Sequence, residues 1–118
     1  MRLPAYVTAM GKLLLSAMED EQVLELYEEG SYKPYTPNTV QTGKQLLEQL
    51  RIARENGYAI DQEEAVLGFC CLAMPILDRN GVRIAAVSCS MPVHQWALKR
   101  TLVKDELQHL AQSLSAVF

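Results

Sequence analysis

Two apolar runs flanking Asp78-Arg79-Asn80-Gly81 constrain this chain more than any other feature. Phe69 to Leu77 reads as a long buried strand, and Val82 to Met91 reads as its return, closed by Pro92. Asn-Gly tolerates the positive φ that a tight antiparallel connection needs, so the two runs form a hairpin. Side chains alternate along a strand. Ser88 and Ser90 therefore share one face, as do Phe69, Cys71 and Ala73 on the partner run. A loop of Arg79-Asn80 sets Cys71 opposite Ser88, and a loop of Asn80-Gly81 sets it opposite Ser90. Either even-numbered loop puts the thiol and both hydroxyls on one side. An odd loop or a bulge breaks that parity.

Those polar groups sit among Ile84, Ala85, Ala86 and Val87. If buried, they need hydrogen-bond partners. One reading satisfies them with backbone, cross-strand neighbours or water. The other makes them the few polar groups of a concave small-molecule site.

The first half of the chain reads as helices. Thr8 is an N-cap for a helix whose apolar face is Met10, Leu13, Leu14 and Ala17. Glu19, Asp20 and Glu21 suit the positive end of a second helix, with Val23, Leu24, Leu26 and Tyr27 inward and Gly30 as its stop. Pro34 and Pro37 make 31–41 a loop. Thr42 caps a third helix that buries Leu46, Leu47, Leu50 and Ala53 and ends at Gly57. Tyr58 to Asp61 is a short strand, and Gln62, Glu63 and Glu64 are polar enough for a surface turn. His94 to Phe118 is a closing helix with a seam of Trp96, Val103, Leu107, Leu110, Leu114 and Val117. Segregated helices around a small antiparallel sheet make the chain an α+β domain.

Composition removes several classes. The 118 residues suit one domain, and 49% apolar with 21% charged residues is ordinary globular usage. No apolar run reaches the roughly 18 residues of a membrane span, so no membrane contact is expected. Three cysteines, two of them adjacent at Cys70 and Cys71, do not form a disulfide framework and suit a reducing cytoplasm. A net charge of −3 with acids and bases intermingled gives no basic face for nucleic acid. Cys71 has no base placed beside it by sequence, because His94 and His109 lie after the return strand and in the last helix. The cysteines and histidines lack chelating spacing, and the glycines carry no phosphate-binding fingerprint. The sequence thus predicts no catalytic residue, metal or cofactor.

Five segments together resemble the effector-binding domain of IclR-type bacterial transcription regulators. They are Leu3-Pro4-Ala5-Tyr6-Val7-Thr8-Ala9-Met10-Gly11-Lys12, Tyr35-Thr36-Pro37-Asn38-Thr39, Gly57-Tyr58-Ala59-Ile60-Asp61-Gln62-Glu63-Glu64, Gly68 to Asp78, and Ala85-Ala86-Val87-Ser88-Cys89-Ser90. The resemblance implies a GAF-like domain that binds a small metabolite, such as an organic acid or a sugar-acid-like effector, and so modulates operator binding by a repressor or activator. It implies a homodimer or homotetramer, with DNA contacted only through an N-terminal winged helix-turn-helix. On this reading residues 1–118 are a partial effector-binding domain, truncated at its N-terminal end, and the winged helix lies outside the chain.

The resemblance also implies a site. Its backbone-amide contacts fall at Ala9 and Met10, its acidic contact at Asp61, its strand cysteine at Cys71 and its strand hydroxyls at Ser88 and Ser90. Phe69 falls on an apolar wall. Met10 and Phe69 are bulky for these positions and imply a smaller or different ligand. The alternative role is an oligomerisation module with a vestigial pocket.

Overall fold

The computed structural model describes residues 2–118. A short 3-10 turn, Ala5–Val7, leads into α1 (Ala9–Leu15), α2 (Asp20–Leu26), α3 (Gly43–Asn56), β1 (Ala59–Gln62), β2 (Phe69–Leu77), β3 (Arg83–Pro92) and α4 (Val93–Ser115). The strands form one antiparallel sheet in the order β1-β2-β3. This is the α+β architecture expected, with helices on both faces of the sheet.

Three of the four helices start at a capping side chain, while α4 follows Pro92 without one. The Thr8 hydroxyl accepts from Gly11 N, and Thr42 accepts from Gln45 N. Glu19 and Gln22 form a capping box on α2. Gly57 closes α3 at φ 80°, a left-handed conformation that glycine adopts without Cβ strain.

The sheet separates two packing regions. Cys70, Leu72, Met74 and Ile76 face α4, where Trp96 and Ala111 complete a buried cluster. On the other face Ala59 and Ala73 meet Ala9, Leu13 and Ala53. These small side chains bring α1 close to the strands. A third cluster, built on Tyr6, Val7, Val23, Leu46 and Leu50, holds the outer helices together.

Several expectations are corrected. Leu14 is 66% exposed and Ala17 is also exposed, because α1 is wedged between two clusters, with Leu13 in one and Leu15 in the other. Its buried surface is therefore wider than a single stripe and includes Lys12. In α2 only Val23 is buried, while Leu24 and Leu26 face solvent. In α4 Ala111 takes the inward place assigned to Leu110, which is exposed, and Val117 lies beyond the helix end at Ser115 and is exposed too. The predicted surface turn also fails at one residue: Glu64 is buried.

The hairpin turn is not a two-residue loop. Leu77 pairs with Arg83 while Ile76 pairs with Ala85, which leaves Ile84 as a bulge. Five residues, 78–82, connect the paired ends, and the extra bulge residue restores even parity. The register is therefore the one expected from an Asn80-Gly81 loop, with Cys71 opposite Ser90. Asp78 organises the turn: its Oδ1 accepts from Asn80 N at 2.8 Å and Val82 N at 2.9 Å. Gly81 supplies the positive φ, 80°.

Candidate functional site

Three residues form a row across the sheet: Asp61 pairs with Cys71, and Cys71 with Ser90. The next row on the same face is Ala59, Ala73 and Ser88. α1 packs on the alanines of that second row, and its first turn overhangs the first. The result is a hollow of about 340 Å³. Ala9, Met10, Asp61, Phe69, Cys71, Ser88 and Ser90 all line it, together with Thr8, Ala65, Val66 and Cys70. The structure thus brings together all seven residues singled out from sequence.

The hollow combines apolar walls with a few polar groups. Met10, Ala65, Val66 and Phe69 supply hydrocarbon. The N–H groups of Ala9 and Met10, the first two of α1, have no acceptor within their own helix. Ser88 and Ser90 stand on an edge strand and remain exposed, as does Phe69. Asp61 is buried, and its Oδ1 accepts from Glu64 N at 2.7 Å. Burial raises its carboxyl above the ordinary aspartate value, against the lowering effect of that hydrogen bond. Burial also pushes the Cys71 thiol up, and the neighbouring Asp61 charge pushes it further. A hydrogen bond from Ser88 opposes both without reversing them. Cys71 is therefore held as the thiol, the poorer nucleophile.

Sequence reasoning missed what fixes the acidic side of the hollow. Lys12 reaches from α1 to donate to Ile60 O at 3.1 Å and to the Glu64 carboxylate. Glu64 Oε2 accepts from Gln62 N at 2.9 Å. The loop before α3 also clamps this turn. Thr36 Oγ1 donates to Glu63 O and Thr39 Oγ1 to Glu64 O, both at 2.6 Å. Glu63 itself adopts φ 56°, with its carboxylate accepting from Gly68 N. The available signal was a lone lysine inside an apolar helix, paired with a carboxylate about fifty positions away, and local periodicity does not join such residues.

Both histidines lie on α4, which packs on the opposite sheet face. Among the described residues no group of three or more His, Cys, Asp or Glu side chains is arranged to hold a metal ion. No helix among them is long and apolar enough to cross a membrane.

Comparison with known proteins gives a consistent set. The family described as bacterial transcriptional regulator IclR C-terminal matches residues 1–116. The chain is 39% identical to the HTH-type transcriptional regulator KdgR of Escherichia coli K12 over 110 residues, covering 93% of this chain and 42% of that protein. It is 39% identical over 88 residues to the p-hydroxybenzoate hydroxylase transcriptional activator of Acinetobacter baylyi, covering 75% of this chain and 32% of that one. Among solved structures, the inducer-binding domain of a PobR double mutant from Acinetobacter, in complex with 3-hydroxybenzoic acid, superposes with a TM-score of 0.84 at 32% identity. That match covers 99% of this chain and 68% of the other. The C-terminal domain of E. coli KdgR gives a TM-score of 0.83 at 37% identity, covering 98% and 71%. The chain thus spans less than half the length of these curated relatives.

Proposed function

The chain belongs to the family of bacterial transcriptional regulator IclR C-terminal domains, and on that premise we propose that it is the main part of an effector-sensing module. Its ligand is a small organic acid bearing a hydroxyl group. The carboxylate sits at the start of α1 on the Ala9 and Met10 amides, where unpaired N–H groups and the helix dipole favour negative charge. Ser88 and Ser90 donate to the ligand from the sheet edge, and Asp61 exchanges a hydrogen bond with its hydroxyl. Met10 and Phe69 flank the hydrocarbon and limit its size. The carrying observation is the convergence of these seven residues on one hollow of about 340 Å³. The 3-hydroxybenzoic acid in the related inducer-binding domain, a hydroxylated carboxylic acid, supports the ligand class.

In the complete regulator, which operates in the cytoplasm, ligand binding shifts operator affinity by favouring one of two conformations. DNA is contacted by parts of the regulator other than these residues, which carry a net charge of −3. On this reading the module senses and does not catalyse: both histidines lie across the sheet from Cys71, which serves as a wall and weak donor. Assembly as a homodimer or homotetramer completes this reading: β3 is an edge strand with Ile84 exposed on it, a surface that a second copy can cover. A purely oligomeric role is the weaker reading, because core side chains do not fill the hollow.

Calorimetry with a panel of small hydroxylated carboxylic acids tests the reading on this chain and on the intact regulator. Binding should weaken by at least about tenfold in Ser88→Ala with Cys71→Ala, since a lost hydrogen bond to a charged group is worth about 1.5–3 kcal/mol. Unchanged affinity and unchanged operator release in that double variant would show that the ligand binds elsewhere.

A further inference from the structure

Arg83 stands on the sheet face that regular alternation denies it. Along β3, Ala86, Ser88 and Ser90 face α1, while Val87 and Cys89 face α4. Unbroken alternation would send Arg83 to the α4 side with Val87 and Cys89. The Ile84 bulge shifts the count by one, and Arg83 instead pairs with Leu77 on the α1 side. There its guanidinium meets the C-terminal end of α1. Nη1 donates to Leu13 O at 2.7 Å and to Ser16 Oγ at 3.1 Å. That carbonyl is left to side chains because Ala17 N turns to Leu14 O at 3.2 Å. Ser16 Oγ also donates to it, at 2.6 Å. A cation suits this end of a helix, where the dipole is negative.

The hollow lies between α1 and β3. Ala9 and Met10 come from the first turn of α1, and Ser88 and Ser90 from the far half of β3. α1 therefore runs opposite to β3, with its start beside the two serines and its end beside Arg83. A seven-residue helix is a rod of about 10 Å. Fixing one end against the strand limits how far the other can swing from it. We infer that Arg83 is a positioning residue, which holds α1 at a set distance from β3 and so limits the size of acid that the hollow admits. This role rests on the hydroxy-acid reading of the hollow, although Arg83 does not itself line it.

Calorimetry on the 118-residue chain with 3-hydroxybenzoate and the larger 3-hydroxy-2-naphthoate tests the role. The native chain should prefer the smaller acid. Arg83→Met keeps most of the side chain's length and removes its donors, so α1 can yield to the larger acid. The ratio of the two affinities should then fall roughly tenfold, the discrimination that about one methylene of space supplies. Loss of stability alone cannot move this ratio, because a smaller binding-competent fraction weakens both acids by the same factor. Gly57→Ala, strained at φ 80° and remote from the hollow, should therefore leave it unchanged. Arg83→Lys, whose ammonium can still donate to Leu13 O, should restore most of the native preference. With 3-hydroxybenzoate binding intact, four results would overturn the role: no size preference in the native chain, an unchanged ratio in Arg83→Met, an equal change in Gly57→Ala, or no recovery in Arg83→Lys. Failure of the native chain to bind either acid would instead overturn the hydroxy-acid reading, and the role of Arg83 with it.

Discussion

Lys12 and Glu64 stand 52 positions apart and form an ion pair whose side chains are 3% and 7% exposed. The pair ties α1, which overhangs the hollow, to the turn that holds Asp61. Removing one partner leaves the other charge buried without compensation, which typically costs about 3–5 kcal/mol. Lys12→Met is therefore expected to destabilise the fold by about that amount in urea unfolding. Lys12→Met with Glu64→Leu should cost less than the sum of the single changes, because neither charge is then stranded. Additive losses would mean that the pair is not energetically coupled.

Asp61 gives a pH dependence of definite sign. Its folded-state carboxyl lies above the ordinary value of 3.8, chiefly through burial, so the folded chain binds that proton more tightly than the unfolded chain does. The resulting stabilisation is complete below pH 3.8 and is lost as the pH rises through the raised value. Asp61→Asn cannot titrate, and its side-chain oxygen can still accept from Glu64 N. Unfolding free energies measured from about pH 3 to about pH 7 should show the native chain losing ground to the variant across that window. A difference that stays constant, or that moves in the native chain's favour, would contradict the burial of this carboxyl.

The hairpin was legible because two local rules, strand alternation and turn chemistry, fix which side chains share a face. Even there the result was reached by another route: a five-residue turn and the Ile84 bulge together give the parity of a two-residue loop. Helix ends were legible at Thr8, Thr42 and Gly57, where a single side chain or a glycine decides. Burial within helices was not. A seven-residue α1 held between two clusters has no single apolar stripe, so periodicity misjudged Leu14 and overlooked Lys12. The burial of Glu64 depends on partners from α1 and from the Thr36–Thr39 loop, and a local reading of the Gln62-Glu63-Glu64 turn contains neither.

Cys71 reactivity reports on the same corner of the site. Burial and the Asp61 charge both raise the thiol, so little thiolate is present at neutral pH. Alkylation of Cys71 by iodoacetamide, followed by peptide mass spectrometry, should be slower than that of an unstructured cysteine peptide. Asp61→Asn removes the neighbouring negative charge and should speed it. An equal or lower rate in the variant would separate Asp61 from the thiol electrostatically, and with it the shared polar row.

Gly11 sets how closely α1 approaches the turn before it. A Cβ at this position would lie 2.4 Å from Ala5 O and 2.5 Å from Ala5 Cα, both backbone atoms that cannot swing aside. Alanine is intrinsically better than glycine in a helix by about 1 kcal/mol, so propensity alone predicts stabilisation by Gly11→Ala. The clash decides the sign: overpacking of this kind typically costs about 1–3 kcal/mol, and the helix must shift to relieve it. That shift displaces the Ala9 and Met10 amides relative to the Ser88 and Ser90 edge. Gly57→Ala provides the comparison, since it is strained by its φ of 80° but meets no atom within 4 Å and lies outside the hollow. Both variants should lose stability in thermal unfolding. Only Gly11→Ala should also displace the Ala9 and Met10 amide resonances and weaken binding of hydroxylated carboxylic acids. Equal perturbation of the site by both would trace the effect to general destabilisation and remove α1 placement as the determinant of ligand fit.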